Sequence, residues 1–130
     1  MVQREIADRL RAAPGSRLYG SPSVVCRLAC DVRMLRTVDR AVFTPRPRVD
    51  SALLRLERTG EAPSAHTVAV IRGAFAHRRK ALAGSLELAG VSERFATRAA
   101  LGDLGLAVGA RAEELAPAQF EALAERLGDA

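Results

Sequence analysis

Tryptophan is absent from this chain of 130 residues, and tyrosine occurs once, at Tyr19. The core must therefore be aliphatic, built from Leu, Val and Ala with four Phe. The only cysteines are Cys26 and Cys30. Four positions apart, they would share one helix face, where they cannot comfortably bridge. His66 and His77 are far along the chain, so two thiols make a poor zinc site; both cysteines are expected to be small buried hydrophobes. No apolar run reaches the length of a membrane span, and Met1-Val2-Gln3-Arg4 does not read as a signal peptide. No membrane partner is expected, and the expected location is the cytoplasm. No glycine-rich phosphate loop follows a strand, no His/Asp/Glu cluster has metal-ligand spacing, and no nucleophile is grouped with a base and an orienting residue. Ser51 beside Asp50 lacks a nearby histidine. The sequence thus assigns no catalytic residue and no metal to this chain.

Apolar residues make up 48% of the chain, enough for a core and against wholesale disorder. The net charge is +5 and unevenly placed. Residues 1–59 carry 12 Arg against 6 Asp/Glu, whereas residues 60–130 carry 8 Lys/Arg against 9 Asp/Glu. In the second part Arg72, Arg78, Arg79 and Lys80 arrive with no acid before Glu87, and the stretch from Arg111 onward is acidic. Segregated positive charge favours a polyanion, nucleic acid before an anionic membrane. Lys80 is the only lysine; with Ala abundant, a GC-rich genome explains that bias more cheaply than phosphate selection.

The most informative stretch is Phe43-Thr44-Pro45-Arg46-Pro47-Arg48-Val49-Asp50-Ser51. Pro45 and Pro47 fix φ and remove two backbone donors, and they push Thr44 and Arg46 toward extended geometry. The result is a stiff loop that joins neither a helix nor the interior of a sheet. It carries Phe43 at its head and Arg46 and Arg48 along its length. Such a loop can stack its ring on a nucleobase while the cations hold phosphates. The alternative, which the physics of the loop alone favours, is a surface connection with Phe43 tucked into the core. Asp50 is expected to cap or to pair with Arg48.

Around the loop, Gln3–Arg11 reads as a helix with Ile6 and Leu10 at i, i+4 and Glu5 set to pair with Arg9. Ser21 is expected to cap a second helix with Pro22 at its first position. Asp31–Val38 and Ala52–Glu57 read as strands, antiparallel neighbours across the loop. In the first, alternation places Val32, Met34 and Arg36 on one face and Thr37 on the other. Met1-Val2 resembles the end of a strand, and a sheet this small implies missing partners, exposed edges and a tendency to associate. The boundary falls at residues 58–63, rich in Gly and Pro. Beyond it everything reads as helix: Ser64 caps a stripe of Val68, Ile71 and Phe75, a break is expected near His77–Arg79, Gly90 ends a second piece, Ser92 opens a third, and Gly102, Gly105 and Gly109 mark turns. Pro117 opens an amphipathic helix with Phe120, Leu123 and Leu127 inside. The expected fold is α+β: residues 1–59 as part of an α/β domain, and residues 60–130 as a small all-α domain.

Ala41 to Ser51 resembles the Phe-x-Pro-x-Pro-x-Val-x-Ser signature of the ribosomal RNA adenine dimethyltransferases, the KsgA family. Met1–Leu10 resembles the strand end and helix that follow that family's catalytic motif. Tyr19-Gly20-Ser21-Pro22-Ser23-Val24 is similar to its Tyr-Gly-x-x-Ser-Val segment. Phe75-Ala76-His77-Arg78-Arg79-Lys80-Ala81-Leu82 is similar to its Phe-x-x-Arg-Arg-Lys-x-Leu segment, and Arg111–Leu115 to the element opening its last helix.

The resemblance implies the later strands and helices of a Rossmann-like methyltransferase sheet followed by a helical RNA-recognition domain. It implies an S-adenosylmethionine-dependent dimethylation of N6 on two adjacent adenosines of small-subunit rRNA, with immature small subunits as partner. It implies Phe43, Pro45 and Pro47 at the target base, and Arg46, Arg48, Arg78, Arg79 and Lys80 on RNA phosphates; a solvated helix end is the alternative for the last three, and the resemblance favours RNA contact over it. The family's glycine-rich cofactor loop, its acidic ribose-binding residue and its Asn-Leu-Pro-Tyr-type motif do not occur in these residues. The expectation is therefore the C-terminal portion of such an enzyme, without methyl transfer of its own. Three other readings stand beside it: a freestanding rRNA-binding or assembly module, the related branch that methylates large-subunit rRNA and confers antibiotic resistance, and a structural helical protein with incidental charge.

Overall fold

The computed structural model describes residues 1–128, so positions 129 and 130 of the expected helical domain lie outside the described residues. A short strand β1 (Val2–Gln3) leads into helix α1 (Arg4–Arg11), where Glu5 and Arg9 pair at 3.1 Å as the i, i+4 spacing requires. Helix α2 (Ser21–Ala29) follows, then strand β2 (Cys30–Val38), a helical turn at Arg40–Val42, and strand β3 (Ser51–Arg58). Four helices complete the chain: α3 (Ala65–Ala76), α4 (Leu82–Leu88), α5 (Arg94–Asp103) and α6 (Pro117–Leu127), with a helical turn at Ala112–Glu114 before the last.

The sheet order is β1-β3-β2, with both neighbours antiparallel to β3. Consequently β1 and β2 run parallel, joined by α1 and α2, and β3 is slotted between them. The expected α+β class and the pairing of the two longer strands hold. The expected face assignment does not. A bulge at Leu35 shifts the register, so that Met34 faces Leu54, Arg36 faces Leu53 and Thr37 faces Ala52. Residues directly opposite share a face, so Thr37 joins the side of Met34 and Arg36 leaves it. An extra residue in one strand reverses the alternation beyond it. Ala52 is buried and Leu54 half-buried, and α1 and α2 lie against the strands, whereas Leu35 and Leu53 remain exposed.

Several caps differ from expectation. The cap of α2 is Gly20, not Ser21: the Gly20 amide donates to Ser23 Oγ at 3.1 Å, and Ser23 Oγ donates in turn to the Arg9 carbonyl. Cys30 is extended and opens β2, so the two cysteines do not share a helix face; both are free and half-buried. Helix α5 starts after Glu93, two residues past Ser92, because Glu87 Oε2 of α4 accepts from the Arg94 amide at 3.0 Å. Gly102 lies inside α5, while Gly90 and Gly105 take positive φ where helices end. Ser64 Oγ does accept from the Thr67 amide, at 3.1 Å. The buried stripe of α3 is Thr67, Val70, Ile71 and Ala74, with Val68 and Phe75 half-buried at its edges. Phe120 and Leu123 of α6 are fully buried.

One buried cluster gathers the helices. It contains Val70, Ile71, Leu82, Leu86, Leu101, Leu115, Phe120 and Leu123, and it takes in Tyr19 and Val24 from before residue 60. Helix α2 packs against α3 and α6 as well as against β2. Gly73 marks the tightest approach: a Cβ there would lie 2.8 Å from Val91 Cγ2 and 3.0 Å from Leu86 Cδ2.

Candidate functional site

The proline loop is closed at its base by two carboxylates. Asp39 Oδ1 accepts from the Ala41 amide at 2.7 Å, and Asp50 Oδ1 accepts from the Arg40 amide at 3.0 Å. The Asp50 carbonyl accepts from the Arg4 amide at 3.0 Å, tying the loop's end to the start of α1. Asp50 therefore does not pair with Arg48. Instead the Arg40 guanidinium reaches across the loop to the Arg48 carbonyl at 2.8 Å. The Thr44–Pro45 peptide is cis.

From this base the loop presents its residues outward. Pro45, Arg46 and Arg48 are exposed; Phe43 and Pro47 are half-buried. The Phe43 ring is thus neither sealed in the core nor fully in water. A cavity of about 450 Å³ opens beside the loop, lined by Arg4, Arg17, Arg40 and Arg48 together with Glu5, Asp8 and Asp50. Four guanidiniums against three carboxylates leave its rim cationic. Arg17 and Arg40 carry no motif of their own, and the arginine excess of residues 1–59 is their only signal; Arg4 falls within the Met1–Leu10 resemblance but is not singled out there.

The basic segment occupies the expected break between α3 and α4. His77 ends α3 by leaving helical geometry, with φ −126° and ψ 71°, and its amide donates to Ser85 Oγ at 3.0 Å while Ser85 Oγ donates to the Gly73 carbonyl at 2.6 Å. The break separates the three basic residues. Arg78 turns inward: its guanidinium donates to the carbonyls of Arg17 at 3.0 Å and Ser16 at 3.3 Å, lies 3.7 Å from Glu113, and sits 5.9 Å from the Phe75 ring centroid. Arg79 and Lys80 are exposed and, among the described residues, have no ion pair. Arg17 links the two regions, since its side chain lines the loop cavity and its carbonyl holds Arg78.

Tyr19 stands behind this surface. It is fully buried, packs edge-on against Phe75 at 5.9 Å, and donates its hydroxyl to the Leu115 carbonyl at 2.7 Å. Burial pushes its pKa from 10.0 up to about 12, with the charge of Arg27 opposing. Burial likewise raises the Cys26 thiol, reinforced by Cys30 and opposed by Arg27, which leaves it a poor nucleophile. Among the described residues no group of three or more His, Cys, Asp or Glu is placed to hold a metal ion, and no helix is long and apolar enough to cross a membrane. The arrangement is suited to binding an anionic, flat-faced ligand.

Residues 1–129 match the family model described as ribosomal RNA adenine dimethylase. A relative from Streptomyces coelicolor named ribosomal RNA small subunit methyltransferase A is 43% identical over 131 residues, which is 96% of this chain and 45% of that protein. One of the same name from Phenylobacterium zucineum is 40% identical over 96% of this chain and 43% of that protein. The chain spans a little under half the length of the curated relatives it matches. Among solved structures, a dimethyladenosine transferase from Plasmodium falciparum superposes with a TM-score of 0.80 at 21% identity, over 93% of this chain and 53% of that one. The 23S rRNA methyltransferase ErmE gives a TM-score of 0.58 at 27% identity, over 98% of this chain and 52% of that one.

Proposed function

This chain belongs to the ribosomal RNA adenine dimethylase family, and on that footing we propose that it is the RNA-recognising portion of a small-subunit rRNA adenine N6,N6-dimethyltransferase. The target base leaves its stack and lies against Phe43, with Pro45 and Pro47 bracing the ring's position. Arg46 and Arg48 meet the neighbouring phosphates, and Arg79 and Lys80 meet RNA from the α3–α4 break. Residues 1–59 complete an α/β methyltransferase domain, and residues from 60 onward form the helical RNA-binding domain. The partner is small-subunit rRNA in the immature small subunit, in the cytoplasm. The observation that carries the reading is the loop itself: a half-exposed ring on a base closed by Asp39 and Asp50, beside a cavity with four arginines. Stacking on one aromatic contributes about 1–3 kcal/mol per base, enough to offset unstacking the adenine.

The methyl donor of such a reaction, S-adenosylmethionine, is a sulfonium cation joined to an adenosine. The cavity beside the loop sets four Arg against three carboxylates, and the one beside Lys80 holds Lys80, Arg94 and Arg98 with no acid; the net positive charge of each repels a sulfonium. These residues do not fit the donor, and no transfer step runs through them. The chain's part is to hold and orient RNA; the donor is held elsewhere.

The relatives named for the small subunit, at 40% and 43% identity, favour that substrate over the 23S rRNA for which the 27% identical ErmE is named. Titrating the purified chain with a segment from the end of small-subunit rRNA that carries the two adjacent adenosines tests the reading. Binding is expected to weaken steeply with salt yet to keep a preference for this RNA over a duplex of equal charge. Equal affinity for both, or methyl incorporation by the isolated chain from labelled donor, overturns it.

A further inference from the structure

We propose a second nucleotide-binding site at the start of α5, centred on Phe95, that takes an unpaired base with its phosphate. It rests on the rRNA-binding reading for its partner but adds a residue outside the segments that resemble the family's motifs. Phe95 is 83% exposed, the most exposed of the large apolar side chains, in a chain that has only four Phe. The ring lies outside the buried cluster and takes no part in the core packing.

Its surroundings are specific. Arg98 lies one turn further along α5, on the same side as Phe95. Arg94 and Arg98 line two adjoining cavities, one of about 450 Å³ with Phe95 and Ala99, the other of about 380 Å³ with Lys80 and Gly84. Glu87 fixes Arg94, accepting from its amide at 3.0 Å and lying 3.5 Å from its guanidinium. Arg98 and Lys80, among the described residues, have no carboxylate partner. A fixed cation, two unneutralised ones and an open ring are complementary to a ligand that is anionic and flat. An unpaired nucleotide is both, with the base on Phe95 and the phosphate toward Arg98 and Lys80. Lys80 also belongs to the basic segment with Arg79, so the new site continues the surface already assigned to RNA.

The test uses the whole chain and a short single-stranded RNA oligonucleotide of mixed sequence, with the same RNA annealed to its complement as control. The Phe95→Ala substitution is expected to weaken single-strand binding about tenfold and to leave duplex binding unchanged, because paired bases offer no free face. Phe95→Leu should behave like Phe95→Ala, Phe95→Tyr should restore binding, and Arg98→Glu should weaken both RNAs. Since the chain has no tryptophan, Phe95→Trp introduces a single fluorophore whose emission is quenched on stacking. Unchanged single-strand affinity in Phe95→Ala, with Arg79→Glu still weakening it, overturns this site and leaves the RNA-binding reading standing. No binding of either RNA by the unsubstituted chain overturns both. A dimer that Phe95→Ala turns into a monomer assigns the ring to contacts between copies and also overturns the proposal.

Discussion

The hydroxyl of Tyr19 donates to the carbonyl of Leu115 at 2.7 Å, joining positions 96 apart in sequence. Two further bonds converge there: the Gly15 amide donates to the Glu113 carbonyl at 2.6 Å, and Arg78 lies 3.7 Å from the Glu113 carboxylate. The turn before α2 is thereby fastened to the segment that opens α6, and through Arg17 to the rim of the loop cavity.

Removing the hydroxyl by Tyr19→Phe leaves a buried carbonyl without this partner and is expected to destabilise the fold by about 1–2 kcal/mol. Denaturant titration measures it. The phenol also predicts an alkaline limit. Its folded pKa of about 12 exceeds the unfolded value of 10.0, so the unfolded chain loses its proton first. The stabilisation is complete below pH 10 and is lost as pH rises from 10 toward 12. The Tyr19→Phe variant should show a shallower decline in stability across that window.

Gly73→Ala places a methyl 2.8 Å from Val91 and 3.0 Å from Leu86. Alanine is the better helix former, yet overpacking at the α3–α4 contact should dominate, at about 1–3 kcal/mol. Thermal unfolding that shows a gain in stability contradicts so tight a contact.

Arg78 and Arg79 are adjacent and should behave oppositely. Arg78→Ala removes hydrogen bonds to Ser16 and Arg17 and a half-exposed ion pair, so it should lower stability by about 1–2 kcal/mol. Arg79→Ala should leave stability within about 0.5 kcal/mol and weaken RNA binding with a shallower salt dependence. Paired melting and RNA-titration measurements separate the two roles.

Phe43→Ala should cost about 1–3 kcal/mol in binding an RNA with a single unpaired adenine, and Phe43→Tyr should retain most of it. Melting temperature serves as the control: a large fall in stability with RNA affinity intact would return Phe43 to a purely structural place.

Much of this is legible in the sequence. The helices declare themselves through apolar spacing, and the break near His77 follows from where Arg78 would otherwise fall. Pro45 and Pro47 by themselves make the loop stiff. What stays hidden lies in interactions across the chain or in single-residue slips. The bulge at Leu35 leaves composition untouched and reverses the faces beyond it. The Gly20 and Glu93 caps depend on side chains from Ser23 and Glu87, so local cap preferences point one or two residues away. Arg17 and Arg40 join the site only through folding, and apolar patterning places a phenylalanine such as Phe95 inside by default.

The closure by Asp39 and Asp50 makes the intervening residues a detachable cartridge. Its attachment points are backbone amides, two acids at the mouth and the Arg40 guanidinium on the Arg48 carbonyl, so exchange of residues 43–47 for another pentapeptide is expected to leave the register of β2 and β3 unchanged. Grafting different tips onto this one mount gives a direct route to changing which nucleobase is received while the rest of the molecule stays as it is.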